Sequence, residues 1–166
     1  MAAKAAKKTN AMRILDGAGI AYTVHTYDDD GEHVLERGAA ASLAQKLGID
    51  AARVFKTIVM RTDRRECVVF CQSALHEINV KKARAACGAA EVSPVKPEEL
   101  PALTGYVRGG CSPLGMKRKF PTYIDASVTG HETVFVSAGV RGVQLELAPA
   151  DLVAATGAVL TDLVLE

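Results

Sequence analysis

Apolar positions recur at two spacings along this chain. Met12, Leu15 and Ala18 lie three apart behind Thr9, which can cap a helix start, and Gly17 and Gly19 close the run. That spacing predicts a short helix with those three side chains facing inward. The next run, Ala21 to Tyr27, alternates instead and predicts a strand. It sets Tyr22, Val24 and Thr26 on one face and Thr23, His25 and Tyr27 on the other. DDDGEH follows as a turn, and Ala39 to Leu47 predicts a helix closed by Gly48. Arg53 to Met60 and Glu66 to Gln72, separated by TDRR, predict a β-hairpin. Asn79 caps a helix over VKKARAAC that Gly88 ends, AAEVS predicts a short strand, and Pro97 to Leu103 a helical turn. Thr122 to Asp125, Glu132 to Ser137 and Gly142 to Leu147 predict three more strands, and Pro149 opens a final short helix.

The pattern amounts to about seven strands and four or five short helices in mixed order. Hairpin-sized gaps exclude an all-parallel sheet. The expected fold is one α/β domain, a strongly curved mixed sheet or small barrel with short helices outside.

Two stretches break the pattern. Lys56 shares a strand face with Val54, Ile58 and Met60. Two readings are open: an edge lysine that snorkels to water, or a partly desolvated lysine that binds an anion in a pocket. The second stretch, Gly105 to Gly115, reads GYVRGGCSPLG. Tyr106 to Arg108 favour a strand, and Gly109 and Gly110 then remove two successive side chains. Pro113 holds Ser112 extended, and Gly115 permits a tight exit. This is either a glycine bulge with an ordinary turn, or a loop that aims backbone N–H groups at an anionic or carbonyl oxygen.

Composition narrows the class. The chain has 166 residues, 49% of them hydrophobic, and a net charge of +1. That length and balance suit a single folded domain and exclude disorder and strong global attraction to nucleic acid or membrane. No apolar run approaches the roughly 20 residues of a membrane span. The start, MAAKAAKKTNA, has lysines but no apolar core, so residues 1–8 read as a basic flexible tail ahead of a domain over 9–166. Cys67, Cys71, Cys87 and Cys111 fit no zinc or redox spacing, which suits buried thiols, no metal and a reducing cytoplasm.

Four stretches together resemble the YbaK/ProX aminoacyl-tRNA deacylases, the group that includes the editing domain of bacterial prolyl-tRNA synthetase. TNAMRILDGAGIAYTVHTY resembles that family's N-terminal helix and strand, with Tyr22, His25 and Tyr27 in register. RVFKTIVM resembles the strand carrying the family's essential lysine, which falls on Lys56. GGCSPLG resembles its glycine–proline loop, with Gly110 and Pro113 matching, and VFVSAGVRGVQLELAPADL its C-terminal hairpin and helix, with Ser137, Gly139, Arg141 and Gly142 matching. The similarity runs from Thr9 to Val164. It implies hydrolysis of mischarged Cys-tRNA(Pro) in trans to prolyl-tRNA synthetase, without metal or organic cofactor, and says nothing of oligomeric state.

On that basis Lys56, Gly110 and Ser137 are the expected catalytic positions. Gly109 and Gly110 would supply N–H donors to the oxyanion, Lys56 would pin the terminal phosphate or ribose, and Ser137 would hydrogen-bond the α-amino group or ribose. Tyr22, His25 and Tyr27 would wall the terminal adenine. Ser112, Pro113, Gly139, Arg141 and Gln144 complete the expected substrate contacts. The resemblance also implies a reaction without a protein nucleophile: the substrate's own thiol attacks its ester and leaves as a cyclic thioester, an intramolecular step that orientation favours.

Cys111 is the competing nucleophile, beside Arg108, but the family's loop does not demand cysteine there. His76 and His131 read as loop histidines. Lys56, Arg108, Lys117, Arg118 and Lys119 are the candidate tRNA contacts, with salt-dependent binding expected. Two departures bear on the pocket: Gln144 stands where relatives carry an aspartate, and the segment between Tyr27 and Ala40 is longer than the family's. Three other readings stay open: a deacylase for another small amino acid, such as Ala-tRNA(Pro); a non-catalytic module binding tRNA or prolyl-tRNA synthetase; and a small-molecule thiol enzyme using Cys111.

Overall fold

The computed structural model describes residues 8–28 and 39–165. The turn DDDGEH and the long segment before Ala40 fall mostly outside those residues, as does the tail up to residue 7. Lys8 is inside them and is tied down: its ammonium donates to Asp16 Oδ2 at 2.8 Å and to Tyr22 Oη at 3.2 Å.

Helix α1 (Asn10–Gly17) begins at Thr9, whose Oγ1 accepts the Met12 N–H at 3.2 Å. Ala11, Met12 and Leu15 are its buried residues, while Ala18 is exposed and forms the C-cap. The inward position expected of Ala18 belongs to Ala11, because the helix closes before Ala18 completes the stripe.

The other helices are α2 (Ala39–Leu47), α3 (Val80–Cys87), α4 (Leu100–Thr104) and α5 (Pro149–Thr156). Asn79 caps α3 by accepting from Lys81 N and Lys82 N, and Gly88 ends it at φ +68°. The strands are β1 (Thr23–Thr26), β2 (Phe55–Thr62), β3 (Cys67–Ser73), β4 (Val92–Pro94), β5 (Thr122–Asp125), β6 (Val134–Ser137), β7 (Val143–Leu147) and β8 (Val159–Thr161). The short edge strand β8 follows directly on α5 and carries too few residues for a readable alternation.

These strands form two sheets, not one curled barrel. One is antiparallel, in the order β1-β7-β6. The other is mixed, in the order β4-β2-β3-β5-β8, with β2 antiparallel to both neighbours and β3, β5 and β8 parallel. Among the described residues one isolated parallel bridge, Val54–Phe135, links the two sheets, and neither closes on itself. Beyond that bridge the end of β6 is held by another partner. Gly139, at φ +103°, packs so closely on Tyr106 that a Cβ there would lie 2.6 Å from Cε1. Gly110 lies against the Val140–Arg141 backbone, where an added Cβ would come 3.1 Å from Arg141 N. The 105–115 loop therefore packs on the hairpin turn that follows β6.

The principal core lies between α1, α5 and the apolar face of the antiparallel sheet, with Leu15, Val136, Leu145 and Leu152 fully buried. A second core packs α3 on Met60, Val68 and Phe70 of β2 and β3. A third, around Val59, Val69 and Val95, sits beneath α4 and Cys111. Cys67 and Cys71 are buried within β3 as small hydrophobes.

Candidate active site

Strand register brings the polar candidates together. Directly paired residues in a sheet project to one face. Gln144 of β7 is opposite His25 of β1 on one side and Ser137 of β6 on the other. The Val54–Phe135 bridge sets β2 parallel to β6, so two residues further along both strands come Lys56 and Ser137. Lys56 in turn is opposite Gln72 of β3. Gln72, Lys56, Ser137, Gln144 and His25 thus fall along one line that crosses both sheets at the point where β2 and β6 separate. Tyr27 continues its edge, with its N–H on the Gly142 carbonyl at 2.9 Å.

Lys56 is half-buried. Burial lowers its ammonium pKa below the usual lysine value, and the charge of Glu77 partly offsets that. A cation held partly desolvated fits the anion-binding reading of this lysine better than the snorkelling one. Gln72 is 0% exposed and Gln144 5%. Gln72 Nε2 donates to the His76 carbonyl at 2.6 Å. The Oε1 atoms of both glutamines are buried without a partner among the described residues, as is Nε of Arg108. Buried polar atoms are ordinarily bonded, so the two glutamine oxygens on this line mark a place for bound water or ligand.

Ser137 Oγ accepts the Gly139 N–H at 3.1 Å. No base pairs with it among the described residues, because His25 Nε2 lies 2.8 Å from Glu146 Oε1. Glu146 also binds Arg53 Nη2 at 2.9 Å and accepts from Thr133 Oγ1 at 2.5 Å. The Thr133 hydrogen bond, followed by that of His25 and the charge of Arg53, holds the Glu146 carboxyl below the usual carboxylate range. Arg53 further stacks on Phe135, 4.9 Å from the ring centre, and donates to both the carbonyl and the hydroxyl of Thr133. This Arg53–Thr133–Glu146–His25 network was not anticipated. Its one sequence signal is that Glu146 alternates in phase with Gln144 in GVQLEL.

The 105–115 loop differs from its expected form. No strand forms over Tyr106–Arg108. Gly105 ends α4 at φ +84°, the Tyr106 N–H bonds Thr104 Oγ1 at 3.0 Å, and the Tyr106 hydroxyl donates to the Leu114 carbonyl at 2.6 Å. The segment folds back on itself because its tyrosine is buried in its own loop. The Gly110 N–H is committed to the Val107 carbonyl at 2.9 Å, so it is not an open donor. Gly109, exposed at φ +84°, has no acceptor on its N–H among the described residues and inherits that expectation. Ser112 and Pro113 are buried, and Ser112 Oγ accepts the Leu114 N–H at 3.2 Å. Arg141 is exposed and fastens the hairpin turn to the loop through Nε on the Arg108 carbonyl at 2.9 Å.

Tyr22 does not join His25 and Tyr27. It precedes β1, packs on the principal core and donates from its hydroxyl to Asp16 Oδ1 at 2.9 Å. Cys111 is half-buried, and burial pushes its thiol up to about 11. It is neutral at neutral pH, which removes it as a ready nucleophile. His76 is exposed, and the His131 ring lies edge-on to Phe55 at 6.3 Å. Lys117, Arg118 and Lys119 are exposed after the loop.

A family model described as an aminoacyl-tRNA editing domain matches residues 36–155. A candidate Cys-tRNA(Pro)/Cys-tRNA(Cys) deacylase of Enterococcus faecalis, EbsC, is 38% identical over 153 residues, covering 92% of this chain and 91% of that one. A proline–tRNA ligase of Anaeromyxobacter is 30% identical over 98 residues, 59% of this chain and 17% of the ligase. The crystal structure of a candidate trans-editing enzyme for prolyl-tRNA synthetase superposes with a TM-score of 0.84 at 23% identity, over 99% of this chain and all of the other, and shows the same fold. The chain belongs to the aminoacyl-tRNA editing domain family. Its class is that of the aminoacyl-tRNA deacylases, which hydrolyse the ester of a charged tRNA in translation. Among the described residues no helix is long and apolar enough to cross a membrane.

Proposed function

We propose that this protein deacylates cysteine mischarged onto proline tRNA, in trans to prolyl-tRNA synthetase, and that the substrate's thiol is the nucleophile. The observation that carries this reading is a partly desolvated cation in a polar line with no protein nucleophile–base pair among the described residues. Lys56 is partly buried, Ser137 lacks a base, His25 is engaged by Glu146, and Cys111 is held as a neutral thiol. The likeness to EbsC supports cysteine as the aminoacyl group, and the stretch in common with a proline–tRNA ligase supports proline tRNA as its carrier.

In this reading the substrate sulfur bonds to its own ester carbonyl carbon. The carbon–oxygen bond to the ribose then breaks, and the thiol proton ends on the departing 3′-hydroxyl. The cyclic thioester opens in water. Lys56 attracts the terminal phosphate, and Gly109 N–H supports the carbonyl oxygen. Ser137 and the orphan Oε1 of Gln144 hold ribose hydroxyls, and His25 and Tyr27 border the adenine. Gln144 is uncharged, so it accepts a hydrogen bond without serving as a base.

The test is a deacylation panel of Cys-, Ala-, Ser- and Pro-charged proline tRNA, with and without prolyl-tRNA synthetase. Cysteine removed at least ten times faster than alanine or serine is the expected result. Equal rates would overturn the thiol step, and faster alanine release would assign the enzyme to Ala-tRNA(Pro).

A further inference from the structure

The edge of β2 has a gap. Even-numbered residues of this strand bond to β3: the Val54 carbonyl accepts the Ala74 N–H at 2.7 Å, and the Thr62 N–H reaches Glu66 at 2.8 Å. Odd-numbered residues turn the other way, where the Val59 carbonyl accepts the Val95 N–H at 3.1 Å and the Asp63 N–H reaches Glu91 at 3.1 Å. On that side β4 pairing reaches no further than Val59, and β6 pairing stops at the Val54–Phe135 bridge. Thr57 lies between, its backbone N–H and C=O turned to the opening with no strand registered against it among the described residues.

A cavity of about 240 Å³ adjoins this gap on the Thr57 side of the sheet. Thr57, Val59, Val95, Leu100, Cys111 and Arg108 line it. Its walls are apolar except at Thr57 and Arg108, and Arg108 brings a buried Nε with no acceptor among the described residues.

We infer that the Thr57 edge binds the aminoacyl group as a one-residue added strand, with the adjoining cavity receiving its side chain and Arg108 the sulfur of cysteine. An aminoacyl ester carries the pair of groups a strand edge recognises: a carbonyl oxygen to accept from the Thr57 N–H and an α-ammonium to donate to the Thr57 C=O. A residue directly opposite Thr57 sends its side chain to the Thr57 face, which is the cavity. The atoms that follow, the ester oxygen and ribose, then turn to the other face, where the Lys56–Ser137 line begins. A thiolate in the cavity is the acceptor that Arg108 Nε lacks, and the guanidinium charge lowers the cost of ionising it. The inference rests on the deacylase reading and adds which backbone and which cation select the amino acid.

Relative to Thr57→Ala, Thr57→Pro deletes only the backbone donor, since both lose the hydroxyl, this N–H takes no part in the β2–β3 ladder and no strand is registered against it on the other side among the described residues. Against Thr57→Ala, which keeps the N–H, it is expected to lower kcat/KM for Cys-tRNA(Pro) by about 100-fold, the usual effect of losing one oxyanion donor. Circular dichroism and melting check that both variants fold. Arg108→Met is the second test and does not depend on the strand: the acid limb of the cysteine pH–rate profile moves up by about one unit or more, because the thiol loses its cationic neighbour. A folded Thr57→Pro as active as Thr57→Ala, or an unmoved profile in Arg108→Met, would overturn the inference. Wild-type protein that hydrolyses no charged tRNA in the same assay would instead overturn the deacylase reading beneath it.

Discussion

Lys56 and Ser137 hold the same register position on two parallel strands that are bonded one step earlier, at Val54–Phe135, and no bridge joins the strands beyond that point. A basic and a hydroxylic side chain therefore face one opening without the sheet closing over it. Lys56→Met is expected to lower kcat/KM for charged tRNA by about 100-fold, as when one preorganised donor is removed. It should leave stability unchanged or slightly raised, because a partly buried cation is replaced by an apolar side chain of similar length.

The pH dependence of that comparison has a definite sign. The folded pKa of Lys56 lies below its ordinary value of 10.5 because of burial. The folded state then releases its proton first, so the cost of burying the charge is full below the folded pKa and fades as pH rises toward 10.5. Urea titrations of wild type and Lys56→Met should therefore show wild type gaining relative stability over that window. A gap that stays constant would contradict a desolvated lysine.

Gly110 and Gly139 both press on neighbours, with different consequences. A Cβ at Gly139 would sit 2.6 Å from the Tyr106 ring at φ +103°, so both space and backbone forbid it. Gly139→Ala is expected to lose about 2–4 kcal/mol, read by chemical denaturation. Gly110 has no positive φ, and its Cβ would meet Arg141 N at 3.1 Å. Gly110→Ala asks the hairpin turn to move by a few tenths of an ångström. It should cost about 1 kcal/mol or less, yet reduce turnover, because the loop carrying Gly109 and Arg108 shifts with it.

Much of this site was legible in the chain, and the illegible part has physical causes. Lys56 stood out because a charge in an apolar alternation has few explanations, and Thr9, Asn79 and Gly88 act as the caps their residue types predict. Ser137 and Gln144 pair across a local hairpin, but the full line Lys56–Ser137–Gln144–His25 was not readable, since β1 joins β7 and β2 meets β6 only by long-range pairing. The 105–115 loop was misread as part strand because Tyr106 and Val107 have strand propensity, while the hydrogen bond from Tyr106 to Leu114 and its contact with Gly139 are tertiary. Propensity yields to such contacts readily. The barrel expectation misjudged closure: the strands divide into two open sheets, because closure depends on long-range pairing that alternation along the chain does not encode.

Glu146 gathers Thr133, Arg53 and His25 beneath the polar line. Its carboxyl is held below the ordinary 4.5, first by the Thr133 hydrogen bond. A depressed carboxyl contributes stability that is present above the unfolded value and lost as pH falls through the folded one. Glu146→Gln should cost about 1–2 kcal/mol at neutral pH. Its deficit against wild type should shrink in acid, below pH 4.5. Releasing His25 from its carboxylate should raise KM more than it lowers kcat, since the ring borders the bound nucleotide in the proposed complex.

Cys111 decides between two chemistries, and its environment favours one. Burial raises its thiol to about 11 against an ordinary 9.0. At neutral pH about one molecule in ten thousand carries the thiolate, roughly 100-fold fewer than for an unperturbed thiol. Iodoacetamide should therefore label Cys111 in native protein about 100-fold more slowly than in urea-unfolded protein, followed by peptide mass mapping. Cys71, buried and pushed up to about 12, should be slower still. Rapid labelling of Cys111 at neutral pH, with parallel loss of deacylation, would identify it as a reactive nucleophile and displace the substrate's own thiol from the mechanism. Slow labelling, with deacylation persisting after excess reagent is quenched, leaves the loop's part in the reaction to backbone and to Arg108.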